Sequence, residues 1–325
     1  MRRLILSAIA ALSLTTAAFA EVSGKLVLYT SQPNEDAQKT VDAFMAANPG
    51  VTVEWVRDGT PKIMAKFRAE LEAGAPQADV LLIADSVTME GLKAEGLLMA
   101  HPDADISAYE PGIMDAGKTW FATKLITTGI VYNTAAPVKP ASYADLSVPE
   151  VTAAFMMPSP LASGAAAIHM IALTNVPDLG WGFYETLAKQ GAVADGGNGG
   201  VLKAVAGGEK LYGFLVDFLA IREAANGAPI QFVFPTEGVS AVSEPVAILA
   251  NTQNPDAAKA FVDFLISEPG QQLAADMGYL PAHPAVTPPA GFPARDTIKI
   301  LPFDPAKALA DEAANKARFT EMFGG

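Results

Sequence analysis

Asp79-Val80-Leu81-Leu82-Ile83-Ala84-Asp85-Ser86 is the stretch on which the fold turns. Its middle is continuously apolar, as expected of a strand covered on both faces of a parallel sheet. Asp85 and Ser86 then supply the short oxygen-bearing side chains that open a helix. The same grammar runs upstream. Lys25-Leu26-Val27-Leu28-Tyr29-Thr30 reads as a strand followed by Ser31, and Ala37, Val41, Phe44 and Met45 then share one helical face up to Asn48-Pro49-Gly50. Val51 to Val56 reads as a second strand, and Asp58-Gly59-Thr60 leads into a helix whose first turn carries Pro61. Strand and helix alternate three times, which predicts a parallel sheet with right-handed crossovers.

Downstream the pattern is less regular. Thr119 to Asn133 reads as two short strands broken near Thr127-Thr128-Gly129, and Ala154 to Met157 as another strand. Ser163-Gly164 opens a helix from Ala165 to Leu173, and the glycine-rich turn Gly196 to Gly200 precedes a helix over Val201 to Ala206. Leu211 to Ile221 is apolar except for Asp217. Ile230 to Phe234 and Ala241 to Ala250 read as strands, Pro255 to Ile266 as an amphipathic helix, and Asp304 to Phe323 as a helical tail. No internal repeat or low-complexity linker interrupts the chain.

The first 20 residues have the grammar of a secretory signal peptide. Arg2 and Arg3 are followed by an apolar stretch from Leu4 to Leu14 and by Ala18-Phe19-Ala20 at the cut, so export by the general route and a periplasmic mature chain are expected. That stretch is too short to span a roughly 30 Å hydrocarbon core, and no later segment reaches 18 unbroken apolar residues. The chain contains no cysteine, which removes disulfides, thiolate catalysis and cysteine-ligated metals together. Half of the 325 residues are hydrophobic, enough for a large core divided between two lobes. The formal charge of −13 makes nucleic acid and anionic membranes poor partners, while leaving a cleft free to take a small anion.

Several strands end in small hydroxyl residues that also begin helices: Ser31, Thr60, Ser86 and Ser163. Each alone is an ordinary helix cap. Together they mark the carboxyl ends of strands in an open α/β sheet, where ligands bind, and helix N-termini there suit a phosphate-like or carboxylate anion. A secreted hydrolase is the competing class. The chain has no Gly-x-Ser-x-Gly elbow, His-Glu-x-x-His helix or Walker loop, and His101, His169 and His283 lie far from one another in sequence.

Leu28-Tyr29-Thr30-Ser31, Ala78 to Leu82, Gly129 to Thr134, Ser163-Gly164, Ala204 to Glu209 and Pro235-Thr236-Glu237-Gly238, taken in order, resemble the substrate-binding proteins of ATP-driven importers. The similarity is to the group holding ferric-ion, sugar-phosphate and aminophosphonate binders. It implies an α/β type II periplasmic binding protein of two lobes, each a mixed sheet flanked by helices. Residues 21–125 and 245–290 would form lobe I, residues 126–244 lobe II, and residues 291–325 a helical segment packed on both. Two strands, near Leu125 to Tyr132 and near Val242 to Ala250, would form the hinge. A monomer that hands a small molecule to a membrane permease, without cofactor or chemistry of its own, is the expected working unit.

The resemblance also implies a site. Ferric members carry adjacent tyrosines where this chain has Phe218-Leu219, which offer no hard ligand, and they place a carboxylate where Asp85 stands. An anion is expected at Ser31, Thr60, Ser86, Thr127, Thr128, Ser163, Gly164, Ala165 and Asn198, the last aligning with an anion-contacting asparagine of the family. Asp217 is the only charge in its apolar run and needs a cation or several donors; Arg222, Lys210 or a ligand amine would serve. Glu237 and Asp85 are the further candidates for an amine, and Tyr109 and Trp120 for pocket walls. An anion at one end and an amine at the other describes a small zwitterion, 2-aminoethylphosphonate; sugar phosphates or other organophosphates are the alternative.

Overall fold

The computed structural model describes residues 22–110 and 112–324, and the expected signal peptide lies outside the described residues. The chain first lays down β1 (Gly24–Thr30), α1 (Asn34–Ala47), β2 (Val51–Arg57), α2 (Thr60–Glu72), β3 (Val80–Leu82), α3 (Ser86–Ala94), β4 (Leu98–Met99) and β5 (Phe121–Ala122). It continues with β6 (Ile126–Asn133), α4 (Pro149–Thr152), β7 (Phe155–Met157), α5 (Gly164–Thr174), α6 (Gly180–Lys189), β8 (Val193–Ala194) and α7 (Asn198–Ala206). Then come β9 (Tyr212–Val216), α8 (Asp217–Ala225), β10 (Ile230–Val233), β11 (Ser240–Val242), β12 (Pro245–Leu249), α9 (Pro255–Ile266), α10 (Glu268–Asp276) and α11 (Pro305–Phe323).

These strands form two six-stranded sheets. The first runs β2-β1-β3-β12-β4 with β5 beside β12; β1 is parallel to β2 and β3, and β12 is antiparallel to β3. The second runs β10-β6-β9-β7-β8 with β11 beside β6, and mixes parallel β7–β9 with antiparallel β6–β9. Each sheet has its own core. Leu28, Phe44, Val80 to Leu82 and Phe261 fill the first, where Phe44 meets Phe261 edge-on at 4.9 Å. Phe155, Tyr143, Tyr184 and Phe214 fill the second, with Phe155 and Phe214 at 4.8 Å. The architecture is two lobes, each a mixed sheet flanked by helices. Helix α11 lies against α3 of the first lobe and α6 of the second.

Two local readings of the sequence are corrected. Ile126 to Asn133 is one unbroken strand, because β6 is hydrogen-bonded along both edges, to β9 on one side and to β10 and β11 on the other. Gly129 marks close packing there: a Cβ would lie 2.6 Å from the Val233 carbonyl oxygen. Within the apolar run Leu211 to Ile221, β9 ends at Val216 and Asp217 begins α8. The run Ala241 to Ala250 is divided at Ser243-Glu244, with β11 in the second sheet and β12 in the first.

That division makes one crossing between lobes, and Thr123-Lys124-Leu125 makes another. They lie side by side: the amides of Thr123 (3.2 Å) and Lys124 (3.4 Å) donate to the Ser243 carbonyl, and Thr123 Oγ1 donates to the Glu244 carbonyl (2.8 Å). Lys124 Nζ is paired with Glu244 Oε2, both side chains being almost fully buried. Burial pushes the Glu244 carboxyl up from its ordinary range, opposed by the Lys124 ammonium. Glu244 also has φ +34°, an uncommon backbone conformation for a residue with a side chain. Replacing only one member of such a pair leaves a buried charge alone. Lys124→Met should therefore cost about 3–5 kcal/mol in urea unfolding, and Lys124→Met with Glu244→Gln should recover part of that loss.

Candidate ligand-binding cleft

Between the lobes, on one side of the crossings, lies a cavity of about 540 Å³. The first lobe lines it with Ser31, Arg57, Asp58, Gly59, Thr60, Lys62 and Ala84; the second with Ser163, Gly164, Ala165, Asn198 and Phe218; the crossing supplies Glu244. The N-termini of α2, α5 and α7 therefore all reach this space, as Thr60, Gly164 and Asn198 each begin a helix. Unpaired N–H groups at such ends favour an anion.

The hydroxyls are held by their neighbours. Ser31 Oγ accepts from the Ala84 amide (2.9 Å), and Ser163 Oγ caps α5 by accepting from the Ala166 amide (3.3 Å). Asn198 Nδ2 donates to that same Ser163 oxygen at 3.1 Å, while its Oδ1 is buried without a hydrogen bond among the described residues. The glycines around Asn198 leave room rather than fill it. A Cβ at Gly197, Gly199 or Gly200 would meet no atom within 4 Å, and Gly196 has φ +58°, which favours glycine.

Across the cleft the two backbones approach closely at two points. A Cβ on Gly59 would lie 2.7 Å from the Ala162 carbonyl oxygen, and one on Gly164 would lie 2.6 Å from that of Ala84. Both glycines are thus required for the lobes to come this near.

Arg57, Lys62, Asp58 and Glu244 were not singled out by sequence. Arg57 Nε donates to the Gln32 carbonyl at 2.7 Å, and the terminal nitrogens have no protein hydrogen bond or ion pair among the described residues. Its signal was available, since it ends β2 immediately before Asp58-Gly59-Thr60, at the same kind of strand end as Ser31. Glu244 had no such signal. Its position depends on two distant segments crossing together.

The expected site separates into two groups. Ser31, Thr60, Ser163, Gly164, Ala165 and Asn198 are brought together in the cleft. Ser86 instead faces a second cavity of about 620 Å³, along with Trp120, Leu125 and Ser243. Leu125 and Ser243 point into that cavity whereas their neighbours Ile126 and Glu244 point into the cleft, so the two spaces lie on opposite sides of the crossings. Thr127 and Thr128 are buried in β6. Tyr109 is a core residue whose hydroxyl donates to the Ile266 carbonyl at 2.5 Å.

The three expected amine partners are engaged within the protein. Asp217 is fully buried; its Oδ2 accepts from the amide (3.0 Å) and Oγ1 (2.7 Å) of Thr127, and its Oδ1 from the Phe218 amide (2.7 Å). Neither Arg222 nor Lys210 is its partner. Burial pushes its carboxyl up to about 7 against those hydrogen bonds. Glu237 Oε1 accepts from Ser142 Oγ (2.9 Å) and the Tyr143 amide (3.0 Å), fastening a turn away from the cleft. Asp85 caps α3, accepting from the amides of Val87 (3.0 Å) and Thr88 (3.1 Å). Phe218 and Leu219 give the cleft apolar wall where a hard cation would require oxygen.

The comparisons with known proteins give the class of this two-lobed chain and its cleft. The chain belongs to the bacterial extracellular solute-binding protein family, matched over residues 39–299. It is 26% identical over 280 residues to a probable ABC transporter periplasmic-binding protein of Sinorhizobium fredii, covering 82% of this chain and 77% of that one. It is 25% identical over 214 residues to the phosphoglycerate transport regulatory protein PgtC of Salmonella typhimurium, covering 63% and 53% of the two chains. In fold it is similar to the periplasmic binding protein AfuA of Actinobacillus pleuropneumoniae, solved with fructose-6-phosphate (TM-score 0.83, 22% identity, 92% and 98% covered). It is also similar to iron-bound HitA of Pseudomonas aeruginosa (TM-score 0.77, 21% identity, 91% and 99% covered).

Two outcomes are expected. Gly59→Ala, which fits the local backbone but not the opposing carbonyl, should leave the urea midpoint nearly unchanged and weaken ligand affinity several-fold by calorimetry. Asp217, with its folded pKa raised, contributes stability that is complete below about pH 4 and is lost as pH rises through about 7. Asp217→Asn should accordingly flatten the melting-temperature profile between pH 4 and 8.

Proposed function

We propose that this chain is the extracytoplasmic, periplasmic receptor of an ABC importer, that it binds a small organophosphorus anion by lobe closure, and that it works as a monomer delivering that anion to a permease. The observation that carries this reading is the convergence of three helix N-termini with Arg57, Ser31, Thr60 and Ser163 on one inter-lobe cleft. Backbone N–H groups and a guanidinium with free terminal nitrogens suit the three oxygens of a phosphoryl or phosphonyl group. The fructose-6-phosphate complex of AfuA and the phosphoglycerate association of PgtC support the same ligand class.

The body of the ligand is read from the carboxylates. Asp217, Glu237 and Asp85 are occupied by protein donors, which favours a hydroxyl-bearing phosphate ester such as a sugar phosphate over a zwitterion. 2-Aminoethylphosphonate is the second reading, favoured by the carboxylates of Glu244 and Asp58, which do line the cleft. Either would act without turnover.

A thermal-shift and calorimetry panel decides among these. Fructose 6-phosphate, 3-phosphoglycerate or 2-aminoethylphosphonate should stabilise the folded chain by about 2.7 kcal/mol at a hundredfold excess over Kd. Arg57→Gln should weaken the bound compound by about 1.5–3 kcal/mol, the worth of hydrogen bonds to a charged group. Stabilisation by ferric ion but by none of the three would overturn the proposal, as would hydrolysis of the phosphate esters.

A further inference from the structure

Arg222 is on α8 of the second lobe, and Asp36 is in the first turn of α1 in the first lobe. Their side chains meet across the lobes: Arg222 Nη1 lies 3.1 Å from Asp36 Oδ1, and Nη2 lies 3.2 Å from Oδ2. Arg222 Nη2 also donates to the Met277 carbonyl at 2.5 Å. Asp36 is fully buried and accepts a further hydrogen bond from the Tyr279 hydroxyl.

Tyr279 connects this pair to the crossings and to the cleft. Lys124 Nζ sits 4.5 Å from the centre of its ring, and the Phe218 ring lies 4.2 Å away on another side. Phe218 lines the cleft, as does Glu244, the partner of Lys124. Two ion pairs therefore flank one tyrosine, and only the Asp36–Arg222 pair joins side chains from the bodies of different lobes.

We propose that Asp36, Arg222 and Tyr279 form a latch that holds the closed arrangement of the lobes. A carboxylate this deeply buried requires its cation. Separating the lobes takes the guanidinium away from Asp36, so the pair favours the closed form over the open one. Phe218 and Glu244 line the cleft; Phe218 packs on Tyr279, and Glu244 pairs with Lys124, whose ammonium lies over the Tyr279 ring, so occupancy of the cleft is coupled to the latch. Arg222 is a positioning residue and touches no ligand. The latch rests on the lobe-closing function proposed above, but not on the identity of the solute.

The test needs no ligand, because the chain has no cysteine of its own. Asp58→Cys and Leu161→Cys place thiols beside the Gly59–Ala162 contact, one on each lobe. The rate of their joining by a short bis-maleimide reports the closed population of the full mature chain. Adding Arg222→Met, which keeps an apolar stem, should slow joining about five- to tenfold, and Arg222→Lys should restore part of the rate. Tyr279→Phe, which removes only the hydroxyl, should slow it about two- to threefold and serves if Arg222→Met does not fold. Joining within about 1.5-fold of the parent rate in each variant that folds would overturn the latch. Solute binding on the panel above is scored separately, so a chain that binds none of those compounds still gives a clear result.

Discussion

The lobes depend on the buried pair between Lys124 and Glu244. These residues stand on the two segments that pass from one sheet to the other, and both side chains are almost fully buried. A hinge of two bare strands would leave their polar groups exposed to whichever side opened. Here Thr123 and Lys124 donate to Ser243, Thr123 caps the Glu244 carbonyl, and the ion pair fastens the crossings as one unit. The cleft and the second cavity lie on either side of that unit.

The position of the site follows from the hinge. Because β1, β2 and β3 of the first sheet end toward the crossings, the helices after them begin there, and the second lobe presents α5 and α7 to the same space. Three helix N-termini, the hydroxyls, Arg57 and Lys62 face the cleft together with the carboxylates of Asp58 and Glu244, inside a protein whose formal charge is −13. Glycines at 59 and 164 let the two backbones approach until carbonyl and Cα are near contact. How near the two walls of the cleft come is thus set by a steric fit at these glycines.

The buried carboxylates show how polar groups are shared between architecture and binding. Asp217 joins the start of α8 to Thr127 on β6, and Glu237 joins the turn after β10 to Ser142 and Tyr143. Asp217 and Glu237 each accept three hydrogen bonds from donors of the chain, which offsets part of the cost of burying Asp217. Asp36 is paired across the lobes and Glu244 across the crossings.

By itself the sequence determined the class of fold and singled out part of the lining of the inter-lobe cleft. Hydrophobic runs with hydroxyl residues at their ends are local signals, and they foreshadow β1 to β3, the helices after them, and the position of Ser31, Thr60 and Ser163 on one cleft. The tertiary structure decided what local signals cannot carry. Thr127 and Ser86 have the same chemistry as Thr60, yet one is hydrogen-bonded inside a sheet and the other faces the opposite cavity. Asp217 reads as a ligand for an amine until Thr127, 90 residues earlier in the chain, comes beside it. Glu244 and Lys124 acquire their role only where two segments 120 residues apart cross together. Burial and partnership are set by contacts distant in sequence, and those contacts decide which polar residues hold the fold and which face the solute.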